Sequence, residues 1–245
     1  GRVIRLLFVL VLLAAVALGA GVYVGAGRAP GPSIEILEPT GLFGRTAQFE
    51  ISIDSTDGEL TAVDAVIEQG ESTLPLFSLT APGEAQVFQE AETRIRVTRP
   101  LTRETHPELR QGQATIVVHA TRTVLFGLRE RQTTLRLDVE ARFDPPRLTV
   151  LSSFHYINHG GAELVVYRAT PTDAASGVRV GDRYFPGYPA SAAGIDGADA
   201  TTRVALFALS HDQELNAPIR LVARDAAGNE AEAPFDHRVF PQRFR

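Results

Sequence analysis

Residues 6–27 are 22 consecutive positions without a charge, and beyond them the chain turns to alternating apolar and polar positions. At ~1.5 Å per residue the apolar run makes a helix of roughly 33 Å, enough to cross a hydrocarbon core of ~30 Å. Further on, Phe49, Ile51 and Ile53 alternate with Gln48, Glu50, Ser52 and Asp54. Leu135, Leu137, Val139, Ala141 and Phe143 likewise alternate with Arg136, Asp138, Glu140 and Arg142. Side chains two apart share one face of a strand, so this pattern describes sheets with one buried and one wet face. The same reading predicts strands over 34–37, 62–68, 93–98, 114–120, 148–151, 163–169, 203–209 and 219–224. No amphipathic helix pattern follows the apolar run. Short strands broken by Gly, Pro and Asp indicate an all-β fold of β-sandwiches after a single N-terminal transmembrane helix.

A weak internal repeat divides the β region. Pro32-Ser33-Ile34-Glu35-Ile36-Leu37 resembles Pro146-Arg147-Leu148-Thr149-Val150-Leu151, each a proline followed by alternating apolar residues. Proline is tolerated at the first residue of a strand, so each segment opens one sandwich. Asp144-Pro145-Pro146 is then a stiff linker. The expected organisation is an anchor over 1–27, a spacer over 28–31, sandwiches over 32–144 and 145–240, and the start of a further linker over 241–245. In Val222-Ala223-Arg224-Asp225-Ala226-Ala227-Gly228-Asn229 the glycine suits positive φ and the aspartate caps the turn. This stretch resembles the closing hairpin of bacterial immunoglobulin-like domains, which implies two tandem immunoglobulin-like sandwiches.

Arg2 and Arg5 precede the apolar run and only Arg28 follows closely, which favours a cytoplasmic N-terminus and an exported body. The small-residue exit Ala17-Leu18-Gly19-Ala20 keeps a cleaved signal peptide open, but the run exceeds the ~7–15 apolar residues usual there. The expected location is a bacterial inner membrane, crossed once, with the bulk on the periplasmic side. A net charge of −5 and no basic cluster argue against nucleic acid as a partner. With no cysteine, neither disulfides nor thiolate metal sites exist, and each domain depends on its apolar core.

Three stretches have the composition of a site. In Phe154-His155-Tyr156-Ile157-Asn158-His159-Gly160-Gly161 the two histidines would share a helix face, but the flanking alternation and Gly-Gly favour a strand and turn. There, positions i and i+4 lie about 13 Å apart, too far for one ion. His155 and His159 are therefore expected to be satisfied locally, with a metal site formed with other residues, or a partner contact, as the functional alternatives. Phe185-Pro186-Gly187-Tyr188-Pro189 sets Phe185 and Tyr188 on a proline-rich turn, where rings either plug a sandwich end or stack on a partner. Gly194-Ile195-Asp196-Gly197-Ala198-Asp199 lacks the regular ligand series of a calcium loop and reads as solvated. No nucleophile elbow, His-Glu-x-x-His pair, phosphate loop or dinucleotide fingerprint occurs. No catalytic, metal or cofactor residue is expected in this chain.

Val150-Leu151-Ser152-Ser153, Ala162-Glu163-Leu164-Val165-Val166-Tyr167-Arg168, Gly177-Val178-Arg179-Val180-Gly181, Phe185-Pro186-Gly187-Tyr188, the 224–229 hairpin and Phe240-Pro241 together carry a further likeness. The chain resembles the N-terminal anchor and β-rich region of membrane-anchored zinc endopeptidases of the lysostaphin type (LytM-like, duplicated hybrid motif), which cut peptidoglycan cross-links. The resemblance implies a C-terminal catalytic domain that binds zinc through a histidine and an aspartate four residues on, plus a His-x-His pair. Here the residues four beyond each histidine are Arg110, Thr123, His159, Glu163, Leu215 and Pro241, and no His-x-His occurs. The expected role is thus non-catalytic: a membrane-held region, anchored by residues 6–27, that positions or regulates a downstream peptidase acting on peptidoglycan. The alternative is a stand-alone envelope scaffold with immunoglobulin-like domains.

Overall fold

The computed structural model describes residues 2–56, 58–125 and 127–242, with side chains from Leu7 onward. A single helix, Arg2–Ala26, opens the chain, and strands make up nearly all the regular structure that follows. Within it Leu7–Ala26 has a mean hydropathy of 2.7 and none of it is buried. The chain forms two compact units, Gly1–Gly41 with Ala47–Glu140, and Leu42–Thr46 with Ala141–Arg245. Each is an immunoglobulin-like sandwich of antiparallel sheets.

In the first unit one sheet runs in the order Ser33–Glu38, Ala47–Asp54, Arg94–Leu101, Gln86–Ala91. The other includes Arg129–Ala141, Gly112–Val124, Leu60–Gln69 and Ser72–Ser78 in that order. Alternation in Ala47–Asp54 puts Phe49, Ile51 and Ile53 wholly inside, opposite Val63, Ala65, Ile67, Ile116 and Val118 of the facing sheet. At ~1.5–3 kcal/mol per large side chain, this core is the main force holding a unit that has no cross-links. The wet face carries cross-strand pairs, Arg96 to Glu50 at 2.6 Å and Arg94 to Asp54 at 3.0 Å.

The predicted spacer is held rather than loose. Arg122 sits on the inward face of Gly112–Val124, 3 % exposed, and its guanidinium donates to Pro30 O from Nε (3.1 Å) and Nη2 (2.7 Å) and to Thr56 O. Arg131 Nε donates to Ala29 O at 2.8 Å. Arg129 Nη1 donates to Tyr23 O at 2.7 Å while its guanidinium lies 4.4 Å from the centre of the Tyr23 ring. Three arginines thereby bond carbonyls at the helix end and along the spacer: those of Ala29 and Pro30 lie beyond the helix, and Tyr23 O also accepts from Gly27 N at 3.3 Å.

In the second unit one sheet runs Arg147–Val150, Ala162–Thr170, Thr202–Ala208, Tyr188–Pro189. The facing sheet runs Arg183–Pro186, Ala175–Val180, Ile219–Arg224, Glu230–Pro234. Between them Val165, Tyr167, Val178, Phe207, Leu209 and Leu221 are fully buried. Gly187 permits the close approach of Tyr167, whose hydroxyl bonds Ser176 Oγ at 2.9 Å.

The boundary differs from the one read at Asp144. The second unit begins at Ala141 and also takes in Leu42–Thr46. Asn229 of the closing hairpin supplies the reason. Its Oδ1 accepts from Arg45 N (3.0 Å), and its Nδ2 donates to Arg142 O (2.7 Å) and Asp225 Oδ2 (3.0 Å). Phe43 packs edge-on against Phe143 at 6.0 Å, and Arg45 Nε donates to Phe143 O at 2.6 Å. In the hairpin Gly228 has φ 83 and Asp225 Oδ1 accepts from Asn229 N at 2.8 Å.

Candidate functional site

A third, two-stranded sheet in the second unit pairs His155–Asn158 with His237–Phe240, in parallel. Its alternation sorts the side chains: His155 and Ile157 turn inward, while Tyr156 and Asn158 turn out. The outward face carries a row of rings. Phe154 lies 6.4 Å from Tyr156, Tyr156 lies 6.0 Å from Phe240, and the Arg238 guanidinium stands 5.0 Å from Phe240. Phe154 is 77 % exposed and Tyr156 52 % exposed. Beside the row opens a cleft of about 550 Å³ lined by Ser152, Phe154, His155, Tyr156, His237 and Arg238, among others.

Phe154 is held in a costly backbone state. Its φ of 62 places a bulky aromatic in the left-handed region, where Cβ crowds the following carbonyl. The residues on either side of it are held by a chain of bonds. His155 Nδ1 faces Asp236 O at 2.9 Å; a carbonyl only accepts, so Nδ1 carries the proton and Nε2 accepts from the Ser152 hydroxyl at 2.8 Å. Ser152 Oγ in turn accepts from Val166 N at 2.9 Å. The His155 ring, 4 % exposed, stands edge-on to Phe235 at 5.1 Å. A strained, exposed ring beside a cleft makes this position a candidate binding feature.

The residues singled out in the sequence fall in different places. His155 lines the cleft as a buried positioning residue, its own ring spent on local bonds. His159 Nε2 donates to Gln213 O at 2.9 Å. Phe185 is partly buried against the second core, and Tyr188 is 59 % exposed on a short edge strand paired with Val204. Neither Phe185, Tyr188 nor His159 lines the cleft. Phe154, Tyr156, Arg238 and Phe240 were not singled out, although the period-two spacing of Phe154 and Tyr156 put both rings on the face opposite His155.

The remaining candidates have structural duties. Asp199 Oδ1 accepts from Thr201 Oγ1 (2.5 Å), Thr201 N (2.8 Å) and Thr202 Oγ1 (3.1 Å), and Oδ2 pairs with Arg168 at 3.2 Å. The Thr201 hydroxyl and amide, then Thr202 and the Arg168 charge, hold its carboxyl down at about 2. It caps the turn into Thr202–Ala208. Burial raises the Tyr167 hydroxyl above its ordinary pKa, keeping it a neutral partner for Ser176. Among the described residues, no three His, Asp or Glu side chains are grouped to hold a metal ion.

No protein-family model and no curated protein matches the chain. Among solved structures it is similar to an ICAM-5 D1–D4 ectodomain fragment, with 16 % identity, 85 % of this chain covered and a TM-score of 0.32. The chain spans about half of that fragment, 54 %. It is also similar to titin domains Z1Z2 in a complex with telethonin (12 % identity, 88 % of this chain and 100 % of that one, TM-score 0.26). Murine CEACAM1b matches at 9 % identity over 84 % of this chain and 99 % of its own, with a TM-score of 0.35. The fold assignment rests on the sheets described above.

Proposed function

We propose that this chain is a non-catalytic, membrane-anchored scaffold whose second sandwich holds a protein domain through the Phe154–Tyr156–Phe240 row. The observation that carries this reading is the row itself: three rings and a guanidinium, exposed together and kept in place by a strained backbone. Aromatic rings and arginine are the groups that dominate protein–protein contacts, since they offer large rigid areas at little entropic cost. The apolar helix supplies the anchor, with its N-terminus in the cytoplasm and the sandwiches in the periplasm. The domain to be held is the one the sequence resemblance supplies, a lysostaphin-type zinc endopeptidase acting on peptidoglycan and joined in the same polypeptide.

The coding sequence beyond Arg245 tests the identity of the occupant. An open frame containing His-x-x-x-Asp and His-x-His supports the peptidase reading; an immediate stop leaves a stand-alone envelope scaffold. Replacing Phe154 tests the surface. The variant Phe154→Gly is expected to gain about 1 kcal/mol in denaturant unfolding, because glycine relieves the left-handed strain. The same variant is expected to weaken binding of the held domain at least about tenfold by calorimetry, in line with loss of one aromatic anchor. Unchanged binding by Phe154→Gly and Tyr156→Ser together would remove the row from the interface.

A further inference from the structure

The hairpin joining Gly112–Val124 to Arg129–Ala141 is apolar at its tip and stands beside the helix end. Leu128 is 72 % exposed, Leu125 has φ 55, and the turn closes through Leu128 N donating to Leu125 O at 3.1 Å. Leu125 and Phe154 are the two non-glycine residues with positive φ among the described residues. A left-handed leucine next to an outward leucine is an expensive way to build a water-exposed turn, where Asn or Gly would serve.

The contacts between this strand and the spacer give the hairpin a depth. Near Thr133 the chain meets Gly31, whose missing Cβ leaves room for the Thr133 hydroxyl and the Gln132 carbonyl. Arg131 meets Ala29, and Arg129 meets Tyr23. Descending the strand from Thr133 to Arg129 therefore moves the contact from Gly31 back to Tyr23, into the helix. Tyr23 lies inside the apolar span, which ends at Ala26. Beyond Arg129 the strand ends in the turn that Leu128 N closes on Leu125 O, so this tip lies at the Tyr23 end of the strand. Leu128 adjoins Arg129, whose guanidinium reaches Tyr23 within the apolar span, while Arg131 reaches Ala29 just beyond it. Among the described residues, the acidic side chains next to these contacts in sequence are Glu130 and Glu59, both exposed.

We infer that the tip of this hairpin, Leu125 and Leu128, is a second membrane contact, seated in the interface of the leaflet from which the helix emerges. The occupant is the phospholipid bilayer. Its acyl–headgroup boundary covers the leucines, and Arg129 and Arg131 lie at the level of its phosphates, as arginine stems do when they reach up to an interface. The inference rests on the reading of the helix as a membrane anchor. It adds that the first sandwich is fixed against the membrane at two points instead of swinging on a tether.

The absence of cysteine makes the test direct, since any introduced thiol is the only one. Full-length chain carrying Val16→Cys, Leu128→Cys or Glu71→Cys is labelled with an environment-sensitive NBD fluorophore and reconstituted into phosphatidylethanolamine–phosphatidylglycerol vesicles. The Val16 probe reports the anchor, and the Glu71 probe, in an exposed turn, serves as the water reference. The expected result is blue-shifted emission at both 16 and 128, shielding of both from aqueous iodide, and quenching at 128 by shallow lipid-borne nitroxides. A buried probe at 16 with a water-like probe at 128 overturns the second contact and leaves the anchor standing. A water-like probe at 16 overturns the anchor and the contact with it.

Discussion

Asn229 joins three pieces of the chain through one buried amide. Its side chain ties the closing hairpin to Arg45 and Arg142, and its partner Asp225 is as buried as it is. Asn229→Ala would leave the Arg45 amide, the Arg142 carbonyl and a carboxylate oxygen without these bonds. The expected cost is about 2–4 kcal/mol in denaturant unfolding, more than a single exposed bond would give. Asn229→Asp should cost more at neutral pH, because it sets a second carboxylate against Asp225, and the difference should narrow in acid. His106 gives the first sandwich its own pH dependence. Burial, then the Arg99 charge, lowers its pKa from the ordinary 6.5. The fold thus favours the neutral ring, whose Nε2 donates to Pro75 O at 3.4 Å. Folding releases a proton, so this contribution is complete above the unfolded pKa and is lost as pH falls through 6.5 toward the lower folded value. Denaturant midpoints measured from about pH 7 to about pH 5 should fall, and His106→Gln should flatten that slope.

At the scale of elements, the strand Arg129–Ala141 shows what alternation can and cannot tell. Its inward face continues past Leu137 and Leu135 to Thr133, Arg131 and Arg129, and the last three meet the spacer and the helix end instead of the core. Apolar periodicity marks the part of a strand that meets another sheet; it is silent where a strand binds carbonyls. Arg122 was illegible for the same reason, as a charge on an inward face is explained only by the chain it meets. Arg122→Ala is expected to cost about 2–4 kcal/mol in unfolding and to speed proteolysis at Arg28, since Pro30 and Thr56 lose their donor. Ala47–Asp54 was legible almost to the residue from its alternation, and Ile219–Arg224 from an apolar centre, Leu221 to Ala223, between two arginines. Ser72–Ser78 was hidden by Pro75, which reads as a break although edge strands accept it. Gln86–Ala91 was hidden because an edge strand exposed along its whole length needs no apolar face. The aromatic row was half legible: period two placed Phe154 beside Tyr156, but Phe240 reaches them only through the parallel pairing of segments some eighty residues apart, as between His155 and His237.

For the whole molecule, the chain passes between its two units three times, after Gly41, after Thr46 and after Glu140. The second sandwich is therefore not a contiguous piece of sequence. A fragment beginning at Pro145 lacks Phe43, Arg45 and Phe143, and with them the Arg45–Asn229 bond and an aromatic pair. It should unfold about 2–4 kcal/mol more easily than the same unit in the intact chain, as followed by denaturant titration with hydrogen exchange on Ile219–Arg224. Equal stability would show that Leu42–Thr46 adds nothing to it. The parallel pairing of His155–Asn158 with His237–Phe240 has a mechanical side as well. Tension applied beyond Phe240 along the direction of its strand shears all the rungs of this ladder at once instead of peeling them singly. A load on that side would be met first by the strand pair that also displays the rings, so pulling hard enough to part it would dismantle the aromatic surface before the cores of either sandwich gave way.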